Sequence, residues 1–420
     1  MSEQPIRAGA RVLVFSSLFP SPAAPGAGLF IRERMFRVAA HLPLAVVVPQ
    51  AWSPFDALVR LVRPGFRPPA PVFERMDGIE VHRPRFFSMP GVLKRLDGWL
   101  MARGSESVVR RVAASLGATV IDAHFAYPDG AAAVRLGRRL GLPVVITLRG
   151  SKDQRLLGGS REAGLRAALE GAAQLIAVSA SLVRDVGAPL GVPPERFERV
   201  GNGVDTRRFA PVDRHEARAR LGIAPDAPVI IGVGNRIPLK GFQRVIPIVA
   251  RLRQRFPGLV YLIVGGAAGE ADLGSELARQ ARSLGVAEAV RLCGAQSPDA
   301  LRWHYGAADV FAHASEYEGW ANVLLEAMAC GLPVVCTDVG GNAEVLTDPS
   351  LGTLVPWWDE SAFEQALAGA LCAPWDRRHI RAHALAHGWD ARVEQLVALF
   401  ERVSATAGDA IPAPRAVTSD

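Results

Sequence analysis

One stretch near the C-terminal end limits the fold more than any other. It reads Phe311-Ala-His-Ala-Ser-Glu-Tyr-Glu318-Gly-Trp-Ala-Asn-Val-Leu-Leu-Glu326-Ala-Met-Ala-Cys330-Gly-Leu-Pro-Val-Val-Cys336-Thr-Asp-Val-Gly-Gly. The apolar run at 309–312 predicts a short strand, and a loop carrying Glu316 and Glu318 follows. A helix is expected over 322–330, stopped by Gly331-Leu-Pro333, and a second strand over 333–336. Strand, loop, helix, strand is the unit of an open α/β sheet, in which ligands bind at the carboxyl ends of strands. The backbone N–H groups of Gly319, Trp320, Ala321, Asn322 and Val323 would then point out of a helix N-terminus, ready for hydroxyl or phosphate oxygens. Glu318 and Glu326 are eight residues apart, about two helical turns, so the spacing puts both on one side of the site.

The same alternation runs through the rest of the chain. Val12 to Phe15 reads as a buried strand and Leu29 to Ala40 as a helix, joined by a Pro/Ser/Ala/Gly-rich loop. Gly26-Ala-Gly28 in that loop lets backbone approach a pyrophosphate, but no third glycine completes a dinucleotide fingerprint. Two more strand-end loops carry polar residues: Asp122-Ala-His124 and Thr147-Leu-Arg149-Gly-Ser-Lys152-Asp153. Val200-Gly-Asn202-Gly-Val-Asp205 is turn chemistry and marks a boundary. The reading is therefore a first domain at 1–205 and a second at 206–405. A helix at about 389–403 ends the second, and a disordered tail occupies 406–420. Residues 51–104 read as irregular, apart from a strand at 78–83 and an amphipathic helical run, Val92 to Leu100, with Lys94, Arg95 and Trp99.

Composition bounds the function. At 420 residues the chain is long enough for two cores, and no apolar run reaches the ~18 residues that span a bilayer. No signal peptide is apparent at the N-terminus, and the four cysteines lack metal-ligand spacing. They read as buried free thiols in a reducing cytoplasm. Net charge is +7, unevenly placed: residues 1–205 hold 27 Lys and Arg against 17 Asp and Glu, and residues 206–420 hold 21 against 24. Such asymmetry points the first domain at an anionic partner. The bases are spread over many elements with no basic-aromatic module, which argues against nucleic acid.

The string from Glu318 to Val335 closely resembles the Glu-x7-Glu region of the retaining family-4 glycosyltransferases. Three other segments are similar to that family: Phe19-Pro-Ser-Pro with Gly28-Leu-Phe-Ile; Asn202-Gly-Val-Asp205-x3-Phe209-x-Pro211; and Gly232-Val-Gly234-Asn-Arg236-Ile-Pro-Leu-Lys240-Gly241. The resemblance implies a GT-B fold, α/β, with two doubly wound Rossmann-like domains facing a central cleft: an acceptor-side domain at 1–205 and a nucleotide-sugar-binding domain at 206–405, whose helix at about 389–403 crosses back to the first. It implies transfer of a sugar from a nucleotide-sugar donor to a glycan or lipid-linked acceptor, with retention, in cell-surface polysaccharide biosynthesis. On this likeness Glu318 contacts the donor sugar and Glu326 the ribose. Lys240 stabilises the leaving diphosphate, Gly28 lies under it, and His124 reaches the sugar or its phosphate from the first domain. The family's arginine before Lys240 does not align: Asn235 takes its place and Arg236 sits one residue later, so either is a candidate for the diphosphate. Many relatives carry histidine where this chain has Arg149. Neither loop holds an Asp-x-Asp pair, so no metal or other cofactor is expected. The alternatives are a non-catalytic sugar-nucleotide binder, a GT-B epimerase and, more remotely, a nucleic-acid binder. The basic first domain and the run from Val92 to Leu100 add the expectation of a cytoplasmic protein resting on an anionic membrane.

Overall fold

Ten short strands lie in the first half and six in the second, the central ones rich in Val, Ile and Leu. The computed structural model describes residues 9–63, 65–267, 272–357 and 359–410. Residues 9–178, 182–201 and 390–410 group into one unit, and residues 179–181 and 202–389 into another.

The first unit holds β1 (Val12–Phe15), β2 (Leu44–Val47), β3 (Gln50–Trp52), β4 (Phe73–Met76), β5 (Ile79–His82), β6 (Arg85–Phe87), β7 (Val120–His124), β8 (Val144–Leu148), β9 (Gln174–Ala177) and β10 (Phe197–Arg199). Eight of them form a sheet in the order β10-β9-β8-β7-β1-β2-β5-β4. All its pairs are parallel except β4–β5. That pair is a hairpin turning on Asp77-Gly78, both at positive φ (49° and 83°), which matches the twist of two-residue hairpins. β3 and β6 pair separately. Every residue of β1, β7 and β8 is buried, as strands covered by helices on both faces require.

The second unit holds β11 (Val229–Val233), β12 (Val260–Val264), β13 (Val290–Gly294), β14 (Val310–His313), β15 (Val334–Thr337) and β16 (Gly352–Val355). They form one parallel sheet in the order β13-β12-β11-β14-β15-β16. Chain order reverses between β11 and β14. The loops that follow these two strands carry Lys240 and Glu318, so both lie where doubly wound sheets bind ligands.

Several expectations change. Residues 51–104 are not irregular: they contain four strands and the helix Asp56–Val62. The strands are only three or four residues long and Pro-flanked, too short for period-2 reading. The run from Val92 does not start a helix, because Leu93 sits at φ 56°. One α-helix instead spans Asp97–Leu116 and takes in Trp99 and Leu100 of that run. At the other end the helix Trp389–Ala410 continues past 403 into the segment expected to be a tail. Alanines sustain it, the Thr406 hydroxyl donates back to the Arg402 carbonyl at 2.9 Å, and Ser404 Oγ lies 2.8 Å from Thr119 Oγ1. This helix groups with the first unit from residue 390 onward. The rest of the expected tail, 411–420, lies outside the described residues. Cys330 and Cys336 are buried, but Cys293 is only partly buried and Cys372, at a helix end, is exposed.

Candidate functional site

The second unit gathers a charged cluster beyond β11 and β14. After β11 the chain turns through Gly234 and a one-turn helix at Pro238–Lys240, then Gly241 opens the helix Phe242–Leu252. Gly241 has φ 74°, and a Cβ there would sit 1.9 Å from the Ala314 carbonyl oxygen, so only glycine fits. That close approach brings the turn ending in Lys240 against the loop after β14. Lys240 Nζ donates to Glu318 Oε1 at 2.6 Å. His313 Nε2, at the end of β14, lies 2.9 Å from the same oxygen. Burial alone would raise the Glu318 carboxyl, but Lys240 and His313 outweigh it and hold the group down at about 2. Burial lowers His313, against the pull of Glu318. The Glu318 main chain is pinned as well. Gly341 N donates to the Glu318 carbonyl at 3.1 Å, and a Cβ on Gly340 would meet that oxygen at 1.7 Å.

Glu318 lies in a loop, because the helix begins only at Asn322. Its eight-residue offset from Glu326 is therefore not two turns of one helix. Glu326 is in the helix Asn322–Ala329, partly exposed, and accepts from the Tyr305 hydroxyl at 3.1 Å. Burial, with Glu326 beside it, raises the Tyr305 hydroxyl. The first N–H groups of a helix lack intrahelical acceptors, and here they belong to Asn322 and Val323. Asn322 Oδ1 accepts from Asn202 Nδ2 at 3.0 Å. Gly319, Trp320 and Ala321 form the loop leading into that helix, and the buried indole Nε1 of Trp320 has no partner.

Arg236 is committed elsewhere. Its Nε and Nη2 donate to the two oxygens of Asp272 at 2.9 and 3.2 Å, a bidentate pair. Asn235 is exposed. Of the two candidates for the diphosphate, Asn235 is the one not held by an ion pair.

In the first unit Gly28 stands at φ 66° before the helix Leu29–Val38, and a Cβ there would come within 2.5 Å of the Leu18 carbonyl oxygen. His124 ends β7 fully buried. Arg149 Nη2 lies 2.9 Å from its Nδ1, and Asp122 Oδ2 lies 3.2 Å from its Nε2. Arginine only donates, so Nδ1 carries the lone pair and the ring proton is on Nε2, toward Asp122. Burial pushes the imidazole down to about 4, against the pull of Asp122. His124 Nδ1 thus seats the Arg149 guanidinium, while its buried Nε2 has no hydrogen-bond partner. Two buried carboxyls complete the loops. Asp129 accepts from the Ser17 N–H and hydroxyl, and Asp153 accepts from Ala126 N at 2.9 Å. Burial raises them to about 6 and about 7. The sequence assigned no role to His313, Tyr305, Asp272, Asp129 or Asp153, although Asp153 lies in a loop it singled out. Only His313 had a local signal, a polar residue closing an apolar strand five residues before Glu318.

Comparison with known proteins covers most of the chain. Residues 213–385 match the family model described as glycosyl transferases group 1, and residues 56–208 match glycosyltransferase family 4. A D-inositol 3-phosphate glycosyltransferase of Salinispora arenicola is 33% identical over 367 residues, 80% of this chain and 81% of that protein. One of the same name from Segniliparus rotundus is 34% identical over 293 residues, 66% of this chain and 65% of that protein. The match to this second relative thus spans just under two thirds of its length. Among solved structures, sucrose-phosphate synthase from Thermosynechococcus elongatus superposes with a TM-score of 0.74 at 22% identity, covering 94% of this chain and 100% of that one.

Proposed function

Since the chain belongs to the family-4 glycosyltransferases, which have the GT-B fold, we propose that it transfers a sugar from a nucleotide-sugar to a hydroxyl acceptor. The observation that carries this reading is the Lys240–Glu318–His313 cluster at the strand-order reversal, with Glu326 on the adjoining helix. As the glycosidic bond breaks, negative charge grows on the leaving diphosphate. Lys240 stabilises that charge more in the transition state than in the ground state. Glu318, kept ionised by its neighbours, accepts from sugar hydroxyls, and the N–H groups of Gly319 to Val323 add donors. Glu326 accepts from the ribose. In the first unit His124 Nδ1 accepts from the Arg149 guanidinium, and this pair is the part of that unit assigned to the donor sugar or its phosphate.

Retention of the anomeric configuration is part of the proposal. So is an acceptor presented at the inner face of a membrane, within cell-surface polysaccharide assembly. No helix among the described residues is long enough and apolar enough to cross a membrane. The relatives' names point to a phosphorylated polyol as a rival acceptor. A thermal-shift screen across UDP-, GDP- and ADP-sugars identifies the donor, since ligand at 100 times its Kd adds about 2.7 kcal/mol. Mass spectrometry then looks for the glycosylated product, and NMR assigns its anomeric configuration. Isomerised or hydrolysed donor without transfer would favour an epimerase or a binder.

A further inference from the structure

The first unit contains a cavity of about 710 Å³. Ser17, Gln50, Arg83 and Pro128 line it, each just beyond the carboxyl end of β1, β2, β5 or β7. Arg60, Arg67, Arg83, Arg85 and Lys94 line it with Asp56 and Asp97; Arg67 pairs with Asp56, Lys94 with Asp97 and Arg83 with Glu74, which leaves the wall a net excess of base carried by Arg60 and Arg85. Two of these bases converge on one residue. Lys94 Nζ donates to Ser88 Oγ at 2.7 Å, and Arg67 Nη1 donates to the Ser88 carbonyl at 2.8 Å. Arg83 is 2% exposed, and its Nε has no hydrogen-bond partner. Its other nitrogens are taken: Nη2 pairs with Glu74 and donates to the Pro20 carbonyl, and Nη1 donates to the Pro71 carbonyl, so Arg83 fixes the wall and the Nε is its one unpaired donor.

The surroundings of the cavity are apolar. Among the described residues 14 large apolar side chains are exposed, and 12 of them lie between Trp52 and Trp99. Trp52 and Val72 line the cavity themselves and are 43% and 67% exposed. The helix Asp56–Val62 turns Asp56, Ala57 and Arg60 to the cavity. It leaves Leu58, Leu61 and Val62 in solvent at 63%, 80% and 80%. A surface helix ordinarily buries such residues. An exposed apolar patch of this extent marks a place where something apolar docks.

We propose that cavity and rim form one acceptor site for an amphiphile, with a phosphate-bearing head against the cationic wall and an apolar chain along the helix Asp56–Val62. The chemical class is a single-chain lipid with a phosphate-linked head whose hydroxyl is the acceptor, and polyprenyl phosphate is the probe for its phosphate and chain. The inference rests on the glycosyltransferase reading and names its acceptor. A free polyol phosphate would use the wall but not the rim, and a bare anionic bilayer would use the rim but not the wall.

The test is co-sedimentation of the full chain with three kinds of phosphatidylcholine vesicle: plain, with phosphatidylglycerol, and with polyprenyl phosphate at matched charge. Polyprenyl phosphate should bind about tenfold or more tightly than phosphatidylglycerol, because only its head enters the cavity. The Leu58→Ser, Leu61→Ser, Val62→Ser triple variant should lose about tenfold on polyprenyl-phosphate vesicles. Lys94→Gln should erase the preference between the two anionic lipids. Nucleotide-induced thermal shifts, unchanged in both variants, show that the fold and the donor site are intact. Equal binding to both anionic lipids overturns the proposal. So does soluble inositol phosphate protecting the protein while no vesicle binds. Absence of any nucleotide shift in the wild type would instead undo the glycosyltransferase reading and leave the lipid result standing.

Discussion

Replacing Lys240 by alanine should damage both stability and turnover, and the two losses are separable. Lys240 and Glu318 side chains are 21% and 9% exposed, and their contact is 2.6 Å. Breaking a buried ion pair by removing one partner costs roughly 3–5 kcal/mol, because the other charge stays buried. The partial exposure of Lys240 and the remaining His313 contact place Lys240→Ala near the lower end, about 3 kcal/mol. Burial then acts on Glu318 with one counter-charge fewer, so its carboxyl should rise from about 2. The double variant Lys240→Met, Glu318→Gln removes both charges and should recover most of the stability, leaving a deficit of about 1 kcal/mol or less. Turnover behaves differently. Losing a preorganised donor lowers kcat roughly 10²–10³-fold, and the double variant should restore none of it. Urea titrations give the stabilities, and product formation with the donor found in the screen gives the rates. A double variant as unstable as Lys240→Ala would refute the buried-pair argument. Near wild-type turnover in either variant would refute the role of Lys240 in the reaction.

Three further outcomes follow from the same geometry. Glu326→Ala should weaken free nucleotide and nucleotide-sugar alike by about 1.5–3 kcal/mol, whereas Glu318→Ala should weaken only the nucleotide-sugar; calorimetry on both ligands decides, and equal losses of free-nucleotide affinity would contradict the division. Gly241→Ala places a methyl against the Ala314 carbonyl and should abolish donor binding by displacing the Lys240 turn, read as loss of the nucleotide thermal shift. Asp153 has a folded-state carboxyl raised by burial to about 7, so the native state keeps a proton that the unfolded chain releases near 4. Its contribution is therefore lost as pH rises between those values, and Asp153→Asn should gain stability relative to wild type from pH 5 to pH 8; a difference flat across that range would contradict the raised carboxyl.

The sequence already carried the two-sheet architecture, because the fully buried strands are rich in Val, Ile and Leu and are separated by helical periods. It carried Lys240, Glu318 and Glu326 as site candidates, because loop position and motif are local properties. What it hid are long-range choices of partner. Nothing within ten residues of Arg236 announces Asp272, and nothing near His124 announces that Arg149 takes one of its nitrogens. The pairing of β3 with β6 and the left-handed turn at Leu93 are set by tertiary packing on three- and four-residue segments, where periodicity has no room to show. The start of the helix at Asp97 was hidden, since Val92 to Leu96 share its apolar spacing without its backbone.

The central claim is that Lys240 receives the donor's diphosphate. Isothermal titration of wild type and Lys240→Ala with the nucleoside monophosphate and diphosphate of the preferred donor tests it most directly. The account predicts that wild type favours the diphosphate by about tenfold or more, as a charge-assisted bond of roughly 1.5–3 kcal/mol implies, and that the variant binds both forms alike. A variant that keeps the full preference for the diphosphate would contradict it.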